Sequence, residues 1–318
     1  MPITNQAILD TASTTFRAAF DEIFELGAPG AWSNYTEIIP TSSKVNEVDI
    51  LETMPVVREW TGAKIFPDIR ASSFSLTVRK YEKSFAIDRL DAMADTTGLI
   101  GRRIASFLSA GGDGGSIYDR IAHLALTANG VGYDGVALFS AAHPRGSGGA
   151  TQSNITTTAL SFANHRAILT TMQSLTDENG EPLRISPDVL MVGPSNAALG
   201  MEITGSDKRL QLVTAAGVLD PAAAGVAAAT VPNVFGGGMM DLVVDPRLVG
   251  AFDDHYYYVD RMRGPKPILG YEFRAPEGIE QTAMDDEGRF MNDELRFSVE
   301  CDVVFGSGDW HVAHAGIL

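Results

Sequence analysis

Apolar residues recur at helical spacing in four stretches of the chain. In residues 4–26, Ile8, Ala12, Phe16, Ala19, Phe20 and Ile23 fall three or four apart, while Asp21, Glu22 and Glu25 face elsewhere. This pattern predicts an amphipathic helix, which Gly27-Ala28-Pro29-Gly30 stops. Residues 95–110 repeat the pattern with Leu99, Ile100, Ile104, Phe107 and Leu108. A helix cannot cross Gly111-Gly112-Asp113-Gly114-Gly115 cheaply. The next one starts at Ser116, an N-cap answered by Asp119 three residues on. Ile117, Ile121, Leu124 and Ala125 share its expected face, and Asn129-Gly130 closes it because both tolerate the left-handed conformation. Residues 158–176 give the fourth helix through Leu160, Phe162, Ile168, Leu169, Met172 and Leu175, followed by a turn at Asp177-Glu178-Asn179-Gly180.

Period-two patterns mark the strands. Phe74, Leu76 and Val78 alternate with Ser75, Thr77 and Arg79. They belong to an expected ribbon: Met54–Phe66, a turn near Pro67-Asp68, and Ser72–Ile87. A two-stranded ribbon is marginal alone in water and needs a surface to lie on. Tyr35–Pro40 reads as extended, and Lys44–Leu51 has no strong period. Asp188–Gly193 (DVLMVG) is a short buried strand that Pro194-Ser195-Asn196 turns into a helix through Met201, an α/β-style step. The Ala- and Gly-rich residues 214–238 read as a loop. Further strands are expected at Asp241–Asp245, Ala251–Asp260, Leu295–Phe305 and, after a turn at Gly306–Trp310, His311–Leu318. Gly146–Asn154 (GSGGATQSN) is small and polar, the expected boundary between two regions. Helices and strands mix without internal repeats, an α+β chain.

Composition narrows the classes. The 318 residues suffice for one large or two modest cores, and 45% hydrophobic with 20% charged is ordinary for a globular protein. No apolar run approaches the ~20 residues of a membrane span. The N-terminus lacks the basic-then-apolar layout of a signal peptide, so a cytoplasmic product with no membrane partner is expected. A net charge of −16 repels nucleic acid, whose binding depends on phosphate neutralisation. It remains compatible with an acidic container around DNA.

Candidate chemistry is sparse. The one cysteine, Cys301, excludes an internal disulfide and lies in an alternating strand, where a buried inert thiol is expected. His311 and His314 would face opposite sides of a strand, unsuited to a shared metal. Asp253-Asp254-His255 and Asp285-Asp286-Glu287 lack calcium-loop spacing. Gly193-Pro194-Ser195 lacks the second glycine of a nucleophile elbow, since Ala197 stands there. The glycine run 111–115 lacks the Lys-Ser/Thr of a phosphate loop. Neither catalytic residues, nor a metal, nor a cofactor are assigned. In Tyr133–Pro144, Asp134 and His143 are expected to order a loop rather than move protons.

Three segments, in order, resemble the Mu-like major head subunit family of tailed phages and prophages. They are Tyr133–Gly149 (YDGVALFSAAHPRGSGG), Asp177–Ala197 (DENGEPLRISPDVLMVGPSNA) and Phe290–Gly316 (FMNDELRFSVECDVVFGSGDWHVAHAG). The resemblance implies the Hong Kong 97-type phage capsid fold. Its implied parts are an N-terminal arm at 1–45, an extended β-hairpin loop at 46–90, and a peripheral domain with spine helix at 91–150. An axial domain at 151–255 and return strands of the peripheral domain at 256–318 complete it. The break at 111–115 departs from one unbroken spine helix. The implied function is a major capsid protein that assembles into an icosahedral shell enclosing phage double-stranded DNA. Its implied partners are copies of itself in pentamers and hexamers, a scaffold/protease, a portal, and a decoration protein. The DNA is enclosed without sequence-specific binding, and the location is the virion after synthesis in the host bacterial cytoplasm. Candidate assembly residues are Phe16, Phe20, Phe74, Leu76, Val78, Arg79, Tyr133, Asp134 and Trp310. Lys64, Lys80 and Lys83 lie in the loop region without a matching cross-linking motif. The alternatives are an encapsulin-like shell of the same fold and a small-molecule α/β hydrolase-like enzyme.

Overall fold

The computed structural model describes residues 30–51, 59, 61–62, 71–88, 117–145, 150–177, 179–206, 208–213, 227–236, 238–276, 280–281 and 294–318. The expected helices at 4–26 and 95–110, Ser116 and the Pro67-Asp68 turn lie outside these residues. In chain order the elements are β1 (Thr36–Pro40), β2 (Val45–Leu51), β3 (Ala71–Thr77), β4 (Arg79–Asp88), α1 (Ile117–Ala128), β5 (His143–Arg145), β6 (Ala150–Gln152) and β7 (Ile155–Thr156). Then come α2 (Phe162–Gln173), β8 (Val189–Val192), α3 (Ala197–Thr204), β9 (Lys208–Val213), β10 (Ala227–Pro232), β11 (Asp241–Val244) and β12 (Tyr256–Val259). The chain ends with β13 (Ile268–Arg274), β14 (Glu280–Gln281), β15 (Glu294–Ser307) and β16 (Ala313–Gly316). Two compact units result. The first comprises 1–48, 74–128 and 268–306, and the second 49–73, 129–267 and 307–318. The chain changes unit after Ala128, not within 146–154, and residues 307–318 belong with 129–267.

The first unit is built on β15. This strand pairs antiparallel with β4, from Glu294↔Asp88 to Val303↔Arg79, and sits between β13 and β14. Its alternate residues Val299, Cys301 and Val303 are buried, as period-two patterning requires. Burial and the neighbouring carboxylates of Asp302 and Glu272 push the Cys301 thiol up to about 12, the inert state expected of it. β1 adds in parallel along β13. Within the same unit, Tyr118 of α1 donates its hydroxyl to Glu272 Oε2 at 2.5 Å, and its ring packs against Trp32 and Phe305. The buried stripe of α1 runs through Ile117, Ile121, Ala122 and Leu126, while Leu124 is 48% exposed, outside the face expected for it. Asn129 follows with φ 48°, the left-handed terminator foreseen.

The ribbon differs from expectation in its first strand. β2 pairs with β3, so the partner is 45–51 rather than 54–66. The alternation of β2 is hidden because a polar residue takes an inward position. Asn46 is buried, accepting from Thr41 Oγ1 and donating to Ser43 O, while Val45 points outward. In β3 the half-buried Phe74 and Leu76 alternate with exposed Ser73, Ser75 and Thr77, as predicted. The long second strand breaks at Val78, whose N–H donates to Lys44 O. Arg79 onward pairs with β15 instead.

The second unit centres on a five-stranded sheet in the order β11-β8-β12-β16-β7. β8 and β11 are parallel, and β12 runs antiparallel to both β8 and β16. Every residue of β8, β12 and β16 is buried, so these strands are covered on both faces. Register sets Leu190, Tyr258 and His314 side by side, and likewise Val192, Tyr256 and Gly316. The helices α2 and α3 cover that face. α2 starts at Ser161, whose side chain accepts from Asn164 N, and places His165 against Tyr258. Gly200 of α3 sits over Leu242 and Val192. On the opposite face Tyr257 meets Phe139 at 5.5 Å. Two expectations change here. Residues 227–232 of the presumed loop form β10, paired antiparallel with β9. β12 and β16 are inner strands of this sheet, not return strands of another domain.

Gly316 is required by this packing, because a Cβ there would drive into the ring of Tyr256. That ring is buried, and its hydroxyl is held by Thr158 O at 2.8 Å. Gly316→Ala is therefore expected to destabilise by about 2 kcal/mol, the usual cost of overpacking. A lowered urea midpoint at unchanged slope checks it.

Candidate functional site

The loop from Asn129 to Arg145 is shaped by side chains that answer its backbone. Asn129 accepts from Phe139 N at 2.7 Å and donates to Phe139 O at 3.0 Å, clamping the loop's two ends. Asp134 Oδ1 accepts from Val136 N, an Asx turn, and Gly135 takes φ 77°. These contacts leave Asp134 Oδ2 aimed at His143 Nδ1, 2.6 Å away.

His143 is fully buried, and both of its ring nitrogens are engaged. Nε2 lies 3.0 Å from Asn154 Oδ1. The orientation of the Asn154 amide is fixed by its partners. Its Nδ2 lies near three backbone carbonyls, Leu138 O (2.8 Å), Trp310 O (3.1 Å) and Ala313 O (3.3 Å). Its Oδ1 accepts from Ser140 N at 2.8 Å. Oδ1 is thus an acceptor toward His143, and so is the carboxylate of Asp134. The ring is thus held from both sides, by Asp134 Oδ2 at Nδ1 and by Asn154 Oδ1 at Nε2. It stacks on Trp310 with centroids 4.0 Å apart and planes 6° from parallel.

The stack continues. Trp310 lies 3.7 Å from the His311 ring, and His311 Nδ1 meets Asp309 Oδ1 at 2.6 Å. Asp309 also caps the short helical turn Trp310–Val312 by accepting from His311 N. Tyr133 OH reaches within 3.4 Å of His311 Nδ1. The 130–145 loop, Asn154 and the C-terminal turn are thereby knotted inside one unit. Tyr133, Asp134 and Trp310, expected as assembly residues, are buried side chains of this knot. His143 was expected as a loop-ordering residue, whereas Asn154, the other central member, was hidden in sequence by the small polar character of the segment around it.

This arrangement fixes structure. A ring with both nitrogens occupied and no exposure offers no free base to a substrate. The other candidates are separate. His311 lies in the helical turn rather than on a strand, and His314 faces Thr156 Oγ1 at 2.8 Å from β16. Exposed Ser195 donates to Asp253, and Gly193 is pressed against Leu248 O, where an elbow would need room. His255 Nδ1 lies 3.3 Å from Tyr257 OH. Among the described residues no three His, Cys, Asp or Glu side chains converge as metal ligands. Asp285–Glu287 and the glycine run 111–115 lie outside them. Of the ribbon candidates, Phe74, Leu76 and Val78 are half-buried and Arg79 is exposed, while Phe16 and Phe20 lie outside the described residues.

Replacing Asn154 by Ala would orphan carbonyl groups and one His143 nitrogen at a buried point. A loss of about 3 kcal/mol is expected, since unpaired buried groups keep their full desolvation cost. Thermal unfolding checks it, and a change within about 0.5 kcal/mol, as at ordinary surface positions, would contradict the knot.

Comparison with known proteins agrees with this architecture. Residues 9–161 match the family profile of the Mu-like prophage major head subunit gpT. The Mu-like prophage FluMu major head subunit of Haemophilus influenzae is 30% identical over 301 residues, covering 93% of this chain and 70% of that protein. Among solved structures, the mature capsid of bacteriophage PhiM1 contains a chain with a TM-score of 0.54 at 12% identity, over 92% of this chain and 87% of that one. A chain of Mycobacterium phage Cain gives 0.52 at 9% identity, over 94% and 92%. These likenesses show the fold, the α+β Hong Kong 97-type capsid fold. By its sequence and by its architecture, the chain belongs to the Mu-like prophage major head subunit family, the major capsid proteins of phage heads.

Proposed function

We propose that copies of this head subunit close into an icosahedral shell of pentamers and hexamers around phage double-stranded DNA. The observation that carries this reading is the 30% identity to a major head subunit along 93% of the chain. Physical features support it. Heterologous contacts repeated about an axis close rings. The second unit exposes Met201, Val234, Met239, Val244 and Val249 around α3 and the edge strand β11, apolar surface suited to a neighbouring copy. We assign the first unit to the peripheral role and the second to the axial role. The ribbon of β2 and β3, with Phe74 and Leu76 and the adjoining Val78 and Arg79 at its base, reaches across a neighbour, and residues 1–45, with Phe16 and Phe20, act as the arm.

The charge of −16 suits a wall that encloses DNA without gripping it. No helix among the described residues is long and apolar enough to cross a membrane. Scaffold/protease, portal and decoration proteins complete the proposed partners, with synthesis in the host bacterial cytoplasm before the subunit enters the virion. The role is structural, with no catalysis. An encapsulin-like compartment would use the same fold, but the similarity to a prophage head subunit favours phage DNA as the content. The hydrolase-like alternative is not favoured, since Ser195 and His143 are each committed to structural partners.

Electron microscopy of the purified chain under assembly conditions tests the reading. Closed particles built of pentamers and hexamers are expected. Replacing residues 52–70 by a two-residue Asn-Gly turn keeps β2 and β3 available to pair, and should give folded subunits that no longer close shells. A wild-type chain that stays monomeric under all conditions contradicts the shell, and undiminished shell yield from the shortened chain contradicts the ribbon's role.

A further inference from the structure

The face of the second unit's sheet beneath α2 holds two buried histidines with no charge partner among the described residues. His165 of α2 is 1% exposed, and its Nδ1 lies 2.7 Å from Tyr258 OH. The edge of Phe235 closes over it at 4.6 Å. His314 of β16 is 2% exposed and is the register partner of Tyr258 across β12 and β16. Its Nε2 bonds Thr156 Oγ1 at 2.8 Å, and its Nδ1 is buried without a hydrogen-bond partner among the described residues. One tyrosine therefore stands between the two rings. Tyr258 is itself held neutral, because burial raises its phenol well above the ordinary range.

Among the described residues, the elements around these rings, the 233–236 turn (NVFG) included, offer them no counter-ion. β7 (IT), β8 (VLMV), β12 (YYYV) and β16 (AHAG) contain no Asp, Glu, Lys or Arg, and α2 contributes only the exposed Arg166 besides His165. The facing titratable groups are Tyr258 and Tyr256, which meet edge to face. Asp245, His255 and Tyr257 belong to the other side of the alternating β12 pattern. A proton on either imidazole would be an unpaired charge in an apolar layer.

We propose that His165 and His314 form an acid-sensitive latch, in which charging the two rings releases α2 from the tyrosine face of the sheet. The sign follows from burial. Desolvation lowers both rings from the ordinary 6.5 to about 4. Between these values the opened layer binds protons that the closed layer refuses, so closure is favoured above pH 6.5 and weakens as pH falls toward 4. Each ring shifts the opening equilibrium by about 100-fold at pH 4.5, and the two act together.

Amide hydrogen exchange of residues 162–173 in the full chain, corrected for the intrinsic pH dependence, reads this directly. Protection should fall by at least about 100-fold between pH 7 and pH 4.5. In H165Q/H314Q, whose amides keep hydrogen-bonding capacity but take no proton, most of that loss should vanish. Unchanged wild-type protection, or an equal loss in the double variant, overturns the latch. If the double variant fails to fold at pH 7, histidine C2–H exchange on the wild type decides. Titration of His165 and His314 well below 6.5 while the unit is closed supports the latch, and titration at 6.5 with α2 still protected refutes it.

Discussion

A single buried amide organises the second unit. Asn154, between β6 and β7, directs its hydrogen-bonding groups to separate segments of the chain. Its donors meet the carbonyls of the 130–140 loop and of the C-terminal turn, and its acceptor meets Ser140 N and His143. Its backbone also accepts from Ala315 N and donates to Ser140 O. Such a residue cannot be replaced piecemeal, since each partner left behind would be a buried polar group without a match. With the amide orientation fixed, the His143 ring is fixed, and with it the Asp134 turn and the Trp310 stack. The C-terminal strand β16 then has a defined entry into the middle of the sheet, where Gly316 allows Tyr256 to lie flat against it.

For a shell subunit, this arrangement separates rigidity from contact. The strands β8, β12 and β16 are fully buried, and the knot beside them ties the 130–145 loop to the C-terminal turn within one chain. Apolar surface remains at other places, on α3, along β11 and on the half-buried ribbon. A body that repeats many times must hold one shape while its edges find neighbours, and the distribution of burial fits that demand. Two buried neutral histidines add an apolar layer that holds together best without protons.

Much of this was legible in the chain. Period-two runs at Phe74–Val78 and Leu295–Phe305, the apolar DVLMVG stretch and the helix read from apolar spacing over 158–176 each carry a local signal strong enough to survive tertiary context. The spacing of Asp134 and His143 pointed correctly to an ordered loop. What escaped has physical causes. β2 was obscured because Asn46 fills an inward position through its own turn hydrogen bonds. β10 was obscured because an Ala-rich run has little strand preference and gains it only by pairing with β9. The unit boundaries escaped because the Gly/Ser stretch looks like a linker, whereas the chain in fact changes unit at a helix end, Ala128–Asn129, and places β16 in a sheet formed otherwise by strands within 155–259. Asn154 itself lies at the end of that apparent linker, and nothing in its neighbours announces a residue that is 1% exposed.

The central claim is that the Asp134 turn and the Trp310 turn, distant in sequence, are coupled through His143 into one structural element. A double-mutant cycle with Asp134→Ala and Trp310→Leu, read by denaturant unfolding of the full chain, tests it most directly. The account predicts a coupling energy of about 1 kcal/mol or more, because removing either partner weakens the other's hold on the same ring. Additive losses, with coupling below about 0.3 kcal/mol, would contradict it.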